Sequence, residues 1–117
     1  MPKLYYFSHP YTGNAEENFK LANARSLKLI KSGYYIISPI THSHPLDQLE
    51  KHDLKFWMNL DQVIMSHCDG IILAPNWETS KGCRLELRYF IKSDKEILKM
   101  DKDGKLKRWD AIDNCFQ

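Results

Sequence analysis

The sequence is poor in the residues that build disulfide frameworks and zinc sites. It has three cysteines, Cys68, Cys83 and Cys115, and no CxxC pair. An odd count without regular spacing argues against a disulfide framework and favours a reducing, cytoplasmic setting. The absence of CxxC argues against a zinc ribbon. Cys83 is expected to be an inert thiol, because it lies on the apolar stripe of a predicted helix.

Long apolar runs are also missing. No stretch approaches the roughly 20 apolar residues that a membrane-spanning helix needs, and the apolar run near the N-terminus is too short for a signal peptide. The net charge is only +2, which is too small to indicate binding to nucleic acids or membranes through bulk charge. We therefore expect neither nucleic acid nor a membrane as a partner.

The chain does contain an alternation of strand-like and helix-like segments. Its 117 residues predict a single domain over residues 1–117. Strands are predicted at residues 4–7, 34–38, 70–75 and 96–100, with a hairpin return at 105–107, and helices at 14–32, 53–67 and 80–93. This order predicts an α/β fold: a small doubly wound, flavodoxin- or Rossmann-like domain with a mainly parallel sheet and helices on both faces. The largely polar residues 40–51 are predicted to form a functional loop or a distorted turn.

The stretch that ends at Glu86 carries the main candidate for chemistry. It follows a buried strand and opens a helix, where ligands bind in open α/β sheets. Glu86 lies about 85° around the helix from the apolar stripe, at about 100° per residue, so it is either a border carboxylate or a solvated one. Gly82 indicates close approach of a ligand to the backbone or a plain packing contact. Ser80 is an N-cap candidate whose hydroxyl can also bind a polar ligand group.

The loop after the first strand is a second candidate region. It contains Ser8, His9, Tyr11 and Gly13, and a phosphate or ribose rests at this position in doubly wound folds. Neither GxGxxG nor a Walker pattern is present, so a plain turn is the alternative. The loop has no arginine or lysine, and His9 is a candidate helper for binding a 5'-phosphate.

Three further side chains have both a functional and a structural interpretation. Asp61 flanks the inner face of the second long helix and is either a sugar ligand or a solvent-facing acid. Trp77 either stacks on a ligand base or packs in the core. His42 and His44 are expected to line a polar pocket, because a single HxH without a third ligand is weak evidence for a metal.

Taken together, these features resemble the nucleoside 2-deoxyribosyltransferase superfamily. That superfamily includes 2'-deoxynucleoside 5'-monophosphate N-glycosidases and short phage or bacterial relatives of unassigned function. The resemblance covers roughly residues 4–98 and rests on the strand and loop with Ser8 and Tyr11, on Asp61 eight residues before Asp69, and on Ser80-x-Gly82-x-x-x-Glu86.

The resemblance implies a reaction and its residues. Glu86 matches the nucleophile that attacks the anomeric carbon, expels the base and holds a glycosyl ester. Asp61 matches an acid that contacts the sugar or assists the leaving base. The loop residues Ser8, Tyr11 and Gly13 match the region near the sugar and 5'-phosphate, and Ser80 and Gly82 match the loop that holds the 5' group.

The implied enzyme is an N-glycosidase acting on a (deoxy)nucleoside or its 5'-monophosphate, with transfer to another base as a variant. It needs no metal and no redox cofactor, and it works as a homodimer or higher homo-oligomer. Two other hypotheses stay open: a non-catalytic nucleotide-binding or sensing module of the same fold, and a protein-interaction domain with a degenerate pocket. The cytokinin-activating phosphoribohydrolases use a PGGxGT loop, which this chain lacks.

Overall fold

The computed structural model describes residues 2–109, and in this range strands and helices alternate as the apolar pattern predicts. The strands are β1 (Leu4–Ser8), β2 (Tyr35–Ile37), β3 (Gly70–Leu73), β4 (Glu96–Met100) and β5 (Leu106–Arg108). The α-helices are α1 (Ala15–Lys31), α2 (Pro39–Leu49), α3 (Leu54–Ser66) and α4 (Lys81–Lys92). A short 3-10 turn, Trp77–Thr79, comes directly before α4.

The strands form one sheet in the order β2-β1-β3-β4-β5. The first four are parallel, and β5 pairs antiparallel with β4. The chain moves outward from β1 to β2 on one side and from β3 to β4 on the other. The winding therefore reverses between β1 and β3, and their carboxyl ends open the crevice where ligands bind in such sheets. The predicted doubly wound α/β fold is confirmed.

The two faces of the sheet have separate hydrophobic clusters, because neighbouring residues of a strand point to opposite sides. Tyr5 and Phe7 of β1 pack in a cluster with Leu29 of α1. Tyr6 packs in the other cluster, which contains Phe90 of α4 and part of α3. By the same alternation Ser8 belongs to the Tyr6 face. This division assigns α3 and α4 to the side of the sheet on which Tyr6 and Ser8 lie.

The prediction for residues 40–51 is wrong, because most of this segment is the helix α2. Pro39 ends the preceding strand, but a proline at the first helical position is also pre-organised for a helix. Pro45 lies inside α2, where a proline removes one backbone hydrogen bond. The polar residues that indicated a loop belong to the helix, where the side chains of Thr41 and His44 form hydrogen bonds to residues of neighbouring segments.

The helices cover less of the sheet than the apolar stripes predict. Ile30 and Ile91 lie at the helical spacing of the apolar stripes, but both are exposed in the last turns of α1 and α4. The predicted hairpin at the end of the sheet is confirmed, with Gly104 in its turn. The sequence leaves two possibilities for the tail from Trp109 to Gln117, a short helix or a segment that docks on a partner subunit, and residues 110–117 lie outside the described part of the chain. No helix within residues 2–109 is long and apolar enough to cross a membrane.

Candidate active site

Glu86 is held in place by the way α4 begins and packs. Ser80 is the N-cap of α4, and its side-chain oxygen accepts a hydrogen bond from the backbone N–H of Cys83 at 3.2 Å. Cys83, Leu87 and Phe90 are buried against the sheet, which fixes the rotation of the helix. Glu86 is half-buried on the flank of this stripe, as its helical position predicts.

The Glu86 carboxylate is hydrogen-bonded by two hydroxyl groups of β1. Ser8 donates to Oε1 at 2.6 Å, and Tyr6 donates to Oε2. These donors are two residues apart and therefore point to the same side of the strand. A carboxylate that accepts two hydrogen bonds is held in one orientation at the carboxyl end of β1.

Burial and hydrogen bonding act in opposite directions on Glu86. Burial raises its pKa, whereas the hydrogen bonds from Ser8 and Tyr6 lower it. Donors to a carboxylate stabilise its charged form. Glu86 is thus a desolvated carboxylate that still has two groups supporting its negative charge.

Asp61 is the second acid of the site and has a different environment. It lies on α3, and its Oδ1 atom is buried without a hydrogen-bond partner among the described residues. Burial and then the negative charge of Glu86 raise the pKa of Asp61 to about 7. Because Glu86 has donors and Asp61 has none, Asp61 is the residue that retains a proton near neutral pH. The site thus contains a carboxylate held by two hydroxyl donors and a second acid that retains a proton.

The β1–α1 loop crosses from one face of the sheet to the other. His9, directly after Ser8, is buried and donates through Nδ1 to the Pro10 carbonyl at 2.8 Å. Its Nε2 accepts a hydrogen bond from Arg25 of α1 at 2.9 Å. Burial and the Arg25 charge lower the pKa of His9, so the ring is neutral. The hydrogen-bond partners of His9 are therefore the Pro10 carbonyl and Arg25 of α1 rather than the Glu86 carboxylate.

Other predicted residues of this loop have partners on α2 or shape the turn. The Tyr11 hydroxyl lies 2.7 Å from Nδ1 of His44. Gly13 has a φ of 97°, a conformation that favours glycine. His42 is half-buried on α2 and donates to the Pro39 carbonyl at 3.1 Å. His42 and His44 thus have separate partners, and no cluster of three potential metal ligands occurs within residues 2–109.

The region before α4 is open around Gly82 and closed around Trp77. A Cβ atom at Gly82 would have only the Ser80 hydroxyl within 4 Å, at 3.8 Å. A tight packing contact therefore does not explain this glycine. Trp77 packs against the hydrophobic cluster of the α4 face and meets the Trp109 ring edge-on. Burial raises the pKa of Cys83 to about 11, so its thiol is protonated and inert, as expected.

Two residues of the site region were not predicted from the sequence. Tyr6 looked like an ordinary buried strand residue, although its two-residue spacing from Ser8 was a usable signal for a shared face. The first loop contains no arginine or lysine, but Arg25 of α1 donates a hydrogen bond to His9 in this loop. No local sequence pattern links Arg25 to His9. Long-range partners of this kind depend on packing and are not visible in the sequence.

The comparison with protein families gives one match that covers most of the chain. It is described as a domain of unknown function, DUF1937, and spans residues 3–102. The chain belongs to the DUF1937 family. Membership adds no activity, because the family's description assigns none. No curated protein matches the chain.

Proposed function

We propose that the protein is an N-glycosidase that cleaves the base–sugar bond of a (deoxy)nucleoside or its 5'-monophosphate. The observation that carries this proposal is the pairing of Glu86, held by Tyr6 and Ser8, with the proton-retaining Asp61. A carboxylate nucleophile beside an acid is the arrangement that retaining glycosidases use. The resemblance to the nucleoside 2-deoxyribosyltransferase superfamily supports the same roles for the two residues.

In the first step, a Glu86 oxygen attacks the anomeric carbon. The bond from that carbon to the base nitrogen breaks, its electron pair goes to the base, and Asp61 donates a proton to the base. A glycosyl ester on Glu86 and a neutral free base result. Tyr6 and Ser8 orient the attacking carboxylate, and Asp61 is left ionised.

In the second step, the ester is hydrolysed. The Asp61 carboxylate takes a proton from a water molecule, whose oxygen attacks the anomeric carbon and displaces Glu86. The two displacements retain the configuration of the sugar. Hydrolysis is preferred over transfer because the Gly82 side of the site is exposed, whereas transfer requires that water be kept from the ester.

Ser80 and Gly82 are proposed to accommodate the 5' group of the substrate. Ser80 lies at the N-terminus of α4, where free N–H groups and the helix dipole favour polar or anionic groups. Gly82 adds no side chain within the first turn, so a ligand can approach the backbone there. This chemistry needs no metal and no redox cofactor.

A non-catalytic nucleotide-binding module is the second candidate. It is favoured by one observation: both oxygens of Glu86 already accept hydrogen bonds, and each such bond reduces the nucleophilicity of the carboxylate. In that case Glu86 would accept a hydrogen bond from a sugar hydroxyl without reacting. The sign of this function is tight nucleotide binding with no base released on long incubation.

The test of the proposal is base release from a panel of nucleosides and 5'-monophosphates, followed by chromatography. We expect Glu86→Gln to abolish release and Glu96→Gln to retain it. Glu96 is a matched control because it also accepts a hydrogen bond from a tyrosine of β1, Tyr5, at 2.5 Å. Undiminished turnover by Glu86→Gln protein would rule out the nucleophile assignment.

We also propose that the protein acts in the cytoplasm as a homodimer or higher homo-oligomer. The setting is supported by the free, buried thiols of Cys68 and Cys83. Assembly is supported by a set of exposed apolar side chains around the end of α2 and the start of α3, the α2–α3 patch: Leu46, Leu49, Leu54 and Met58. Contiguous exposed apolar patches mark interaction surfaces in soluble proteins.

A further inference from the structure

The outer face of α4 carries charges of one sign only. Four exposed basic side chains recur there at helical spacing and form the α4 basic stripe: Lys81, Arg84, Arg88 and Lys92. At about 100° per residue they fall within about 80° of the helix circumference, away from the buried Cys83, Leu87 and Phe90. At about 1.5 Å per residue the row is roughly 16 Å long.

No acidic side chain compensates the stripe. Glu86 is the only acid of α4, and its two oxygens accept hydrogen bonds from Tyr6 and Ser8. Within residues 2–109, no member of the stripe forms an ion pair with a carboxylate. In the same range, the one side-chain hydrogen bond of the stripe runs from Arg84 to the backbone carbonyl of Glu78, at 2.7 Å. The positive charges are therefore free to meet an anionic partner.

The stripe lowers the stability of the helix that carries it. Arg84 and Arg88, and again Arg88 and Lys92, are four residues apart, a spacing at which like charges destabilise a helix. Lys81 lies in the first turn, next to the positive end of the helix dipole. Only Lys92, in the last turn, lies where the dipole favours a cation. In α1, by contrast, the first turn is acidic and the last turn is basic. Helix stability therefore does not account for the stripe.

Further cations lie on the side of the sheet that α4 covers. Ile97 of β4 packs in the hydrophobic cluster on this side, so Lys99, two residues later, points the same way. Lys99 pairs directly with Lys107 of β5, and both are exposed. Like charges directly opposite each other across two strands are also destabilising. Residues 81–109 contain ten Lys and Arg but five Asp and Glu, so this part of the chain is much more basic than the whole protein.

The borders of the stripe favour a polypeptide over a nucleic acid. Leu85 and Ile91 are 40% and 42% exposed, and each lies about 20° beyond one edge of the stripe. Apolar side chains of a protein can cover them, whereas a phosphate backbone cannot. No aromatic side chain of α4 is exposed, although single-stranded nucleic acids stack their bases on such side chains. Charge complementarity with neighbouring apolar contact is typical of protein interfaces.

We propose that the outer face of α4 is a docking surface for an acidic segment of a partner protein. The carboxylates of that segment pair with the α4 basic stripe, and its apolar side chains cover Leu85 and Ile91. Glu86 lies about 155° around the helix from the middle of the stripe, so docking does not use the Glu86 site. The inference goes beyond the proposed function and does not depend on it.

Binding of fluorescently labelled oligoglutamate to the full-length protein, followed by anisotropy, tests the charge of the surface. Lys81→Gln/Arg88→Gln should weaken binding about threefold to tenfold. The matched control is Lys20→Gln/Lys31→Gln on α1, which removes the same charge from exposed positions and should change affinity by less than about twofold. No binding by the wild-type protein, or an equal loss in both variants, would overturn the inference.

Thermal unfolding separates a docking role of the stripe from a structural one. Lys81→Gln/Arg88→Gln removes repulsion between like charges and should unfold at or above the wild-type Tm. A variant that binds less and is also less stable than wild type would show that the stripe supports the fold, and would overturn the inference. Binding should weaken as sodium chloride is added, because salt screens exposed charges, and salt-independent binding would contradict the charge pairing.

Three further probes identify the class of partner. A peptide with the charge of the oligoglutamate and leucines between its glutamates should bind more tightly than oligoglutamate, and Leu85→Ser should remove that advantage. Equal affinities of the two peptides would overturn the inference. Oligodeoxythymidine of equal charge and vesicles of phosphatidylserine and phosphatidylcholine should bind more weakly than the leucine-containing peptide. Tighter binding of either one, lost in Lys81→Gln/Arg88→Gln protein, would assign the surface to a nucleic acid or a membrane and overturn the inference.

Discussion

Neighbouring tyrosines on β1 each donate a hydrogen bond to a glutamate, but the pKa values of the two glutamates are shifted in opposite directions. Tyr5 donates to Glu96, which also accepts from Lys3 at 3.1 Å, and these bonds lower the pKa of Glu96. Tyr6 donates to Glu86, where burial outweighs the hydrogen bonds and the pKa is raised. Both glutamates accept the same kind of hydrogen bond, so the greater burial of Glu86 determines the different direction of its pKa shift. Perturbed acids of this kind are typical of functional sites.

This contrast predicts different effects of two matched substitutions. Tyr6→Phe removes a donor to the Glu86 carboxylate, which raises the Glu86 pKa further. The acid limb of the pH–rate profile for base release should therefore move to higher pH, with a loss of roughly tenfold or more below pH 7 for a charge-assisted bond. Tyr5→Phe should leave the profile in place. Coincident acid limbs for wild-type and Tyr6→Phe protein would contradict the account.

The proton held by Asp61 predicts the basic limb of the same profile. Because its pKa is raised to about 7, base release should fall above pH 7 as the acid loses its proton. Asp61→Asn cannot donate a proton, so its residual rate should be low and nearly independent of pH in this range. A wild-type rate that stays constant from pH 6 to pH 9 would contradict the role of Asp61.

The raised Asp61 pKa also predicts a pH dependence of stability. The folded value of about 7 lies above the ordinary value of 3.8, so the folded state binds the proton more tightly. Its stabilising contribution is present below about pH 4 and is lost as the pH rises through about 7. Relative to wild type, Asp61→Asn should therefore gain stability between pH 5 and pH 8, on the order of a few kcal/mol. A difference in Tm that is independent of pH would contradict the shift.

In the first turn of α4, Gly82 lowers the stability of the helix but leaves the surface of this turn open. Glycine costs up to about 1 kcal/mol relative to alanine inside a helix, and a Cβ at Gly82 would meet nothing closer than the Ser80 hydroxyl at 3.8 Å. Gly82→Ala should therefore raise the Tm by a few degrees while raising KM several-fold, because the methyl group occupies the ligand's approach. A stabilised variant with unchanged KM would show that no ligand approaches there.

The elements that could be predicted are those with strong local signals. The apolar β3 strand and the capped start of α4 at Ser80 each follow from neighbouring residues. The α2 helix was missed because its histidines and proline look like a loop, and their helical role depends on partners such as Tyr11 and Glu16. Those partners lie 28–33 residues away in sequence, so no local pattern contains them.

For the whole molecule, the sequence predicted the fold and singled out Glu86 and Ser8 as candidates, but it did not predict the contacts around them. Glu86 and Ser8 were singled out separately, and the topology brings them to 2.6 Å. The doubly wound order alone places the ends of β1 and β3 beside each other. Two sets of contacts could not be predicted from the sequence: Arg25 with His9, and His44 with Tyr11 and Glu16. Each joins side chains of different elements, whose distances depend on how the elements pack.

The α2–α3 patch predicts self-association. Leu49 and Leu54 are 85% and 73% exposed, and covering them with a second copy would stabilise the assembly. Light scattering after size-exclusion chromatography should give at least a dimer for wild-type protein and a monomer for Leu54→Lys. Leu27→Lys, on the exposed side of α1, is the matched control and should leave the assembly intact. A wild-type monomer at high protein concentration would contradict this prediction.

We propose that Glu86 forms a covalent bond to the sugar during turnover, and intact-mass spectrometry after a rapid acid quench detects such a bond. During turnover of a nucleoside that releases base, wild-type protein should show a fraction heavier by one glycosyl group, and peptide mapping should locate that group on Glu86. The Glu86→Gln protein should show no such species, and Glu96→Gln should behave like wild type. Base release without any glycosyl-enzyme, or with the sugar on another residue, would contradict the account.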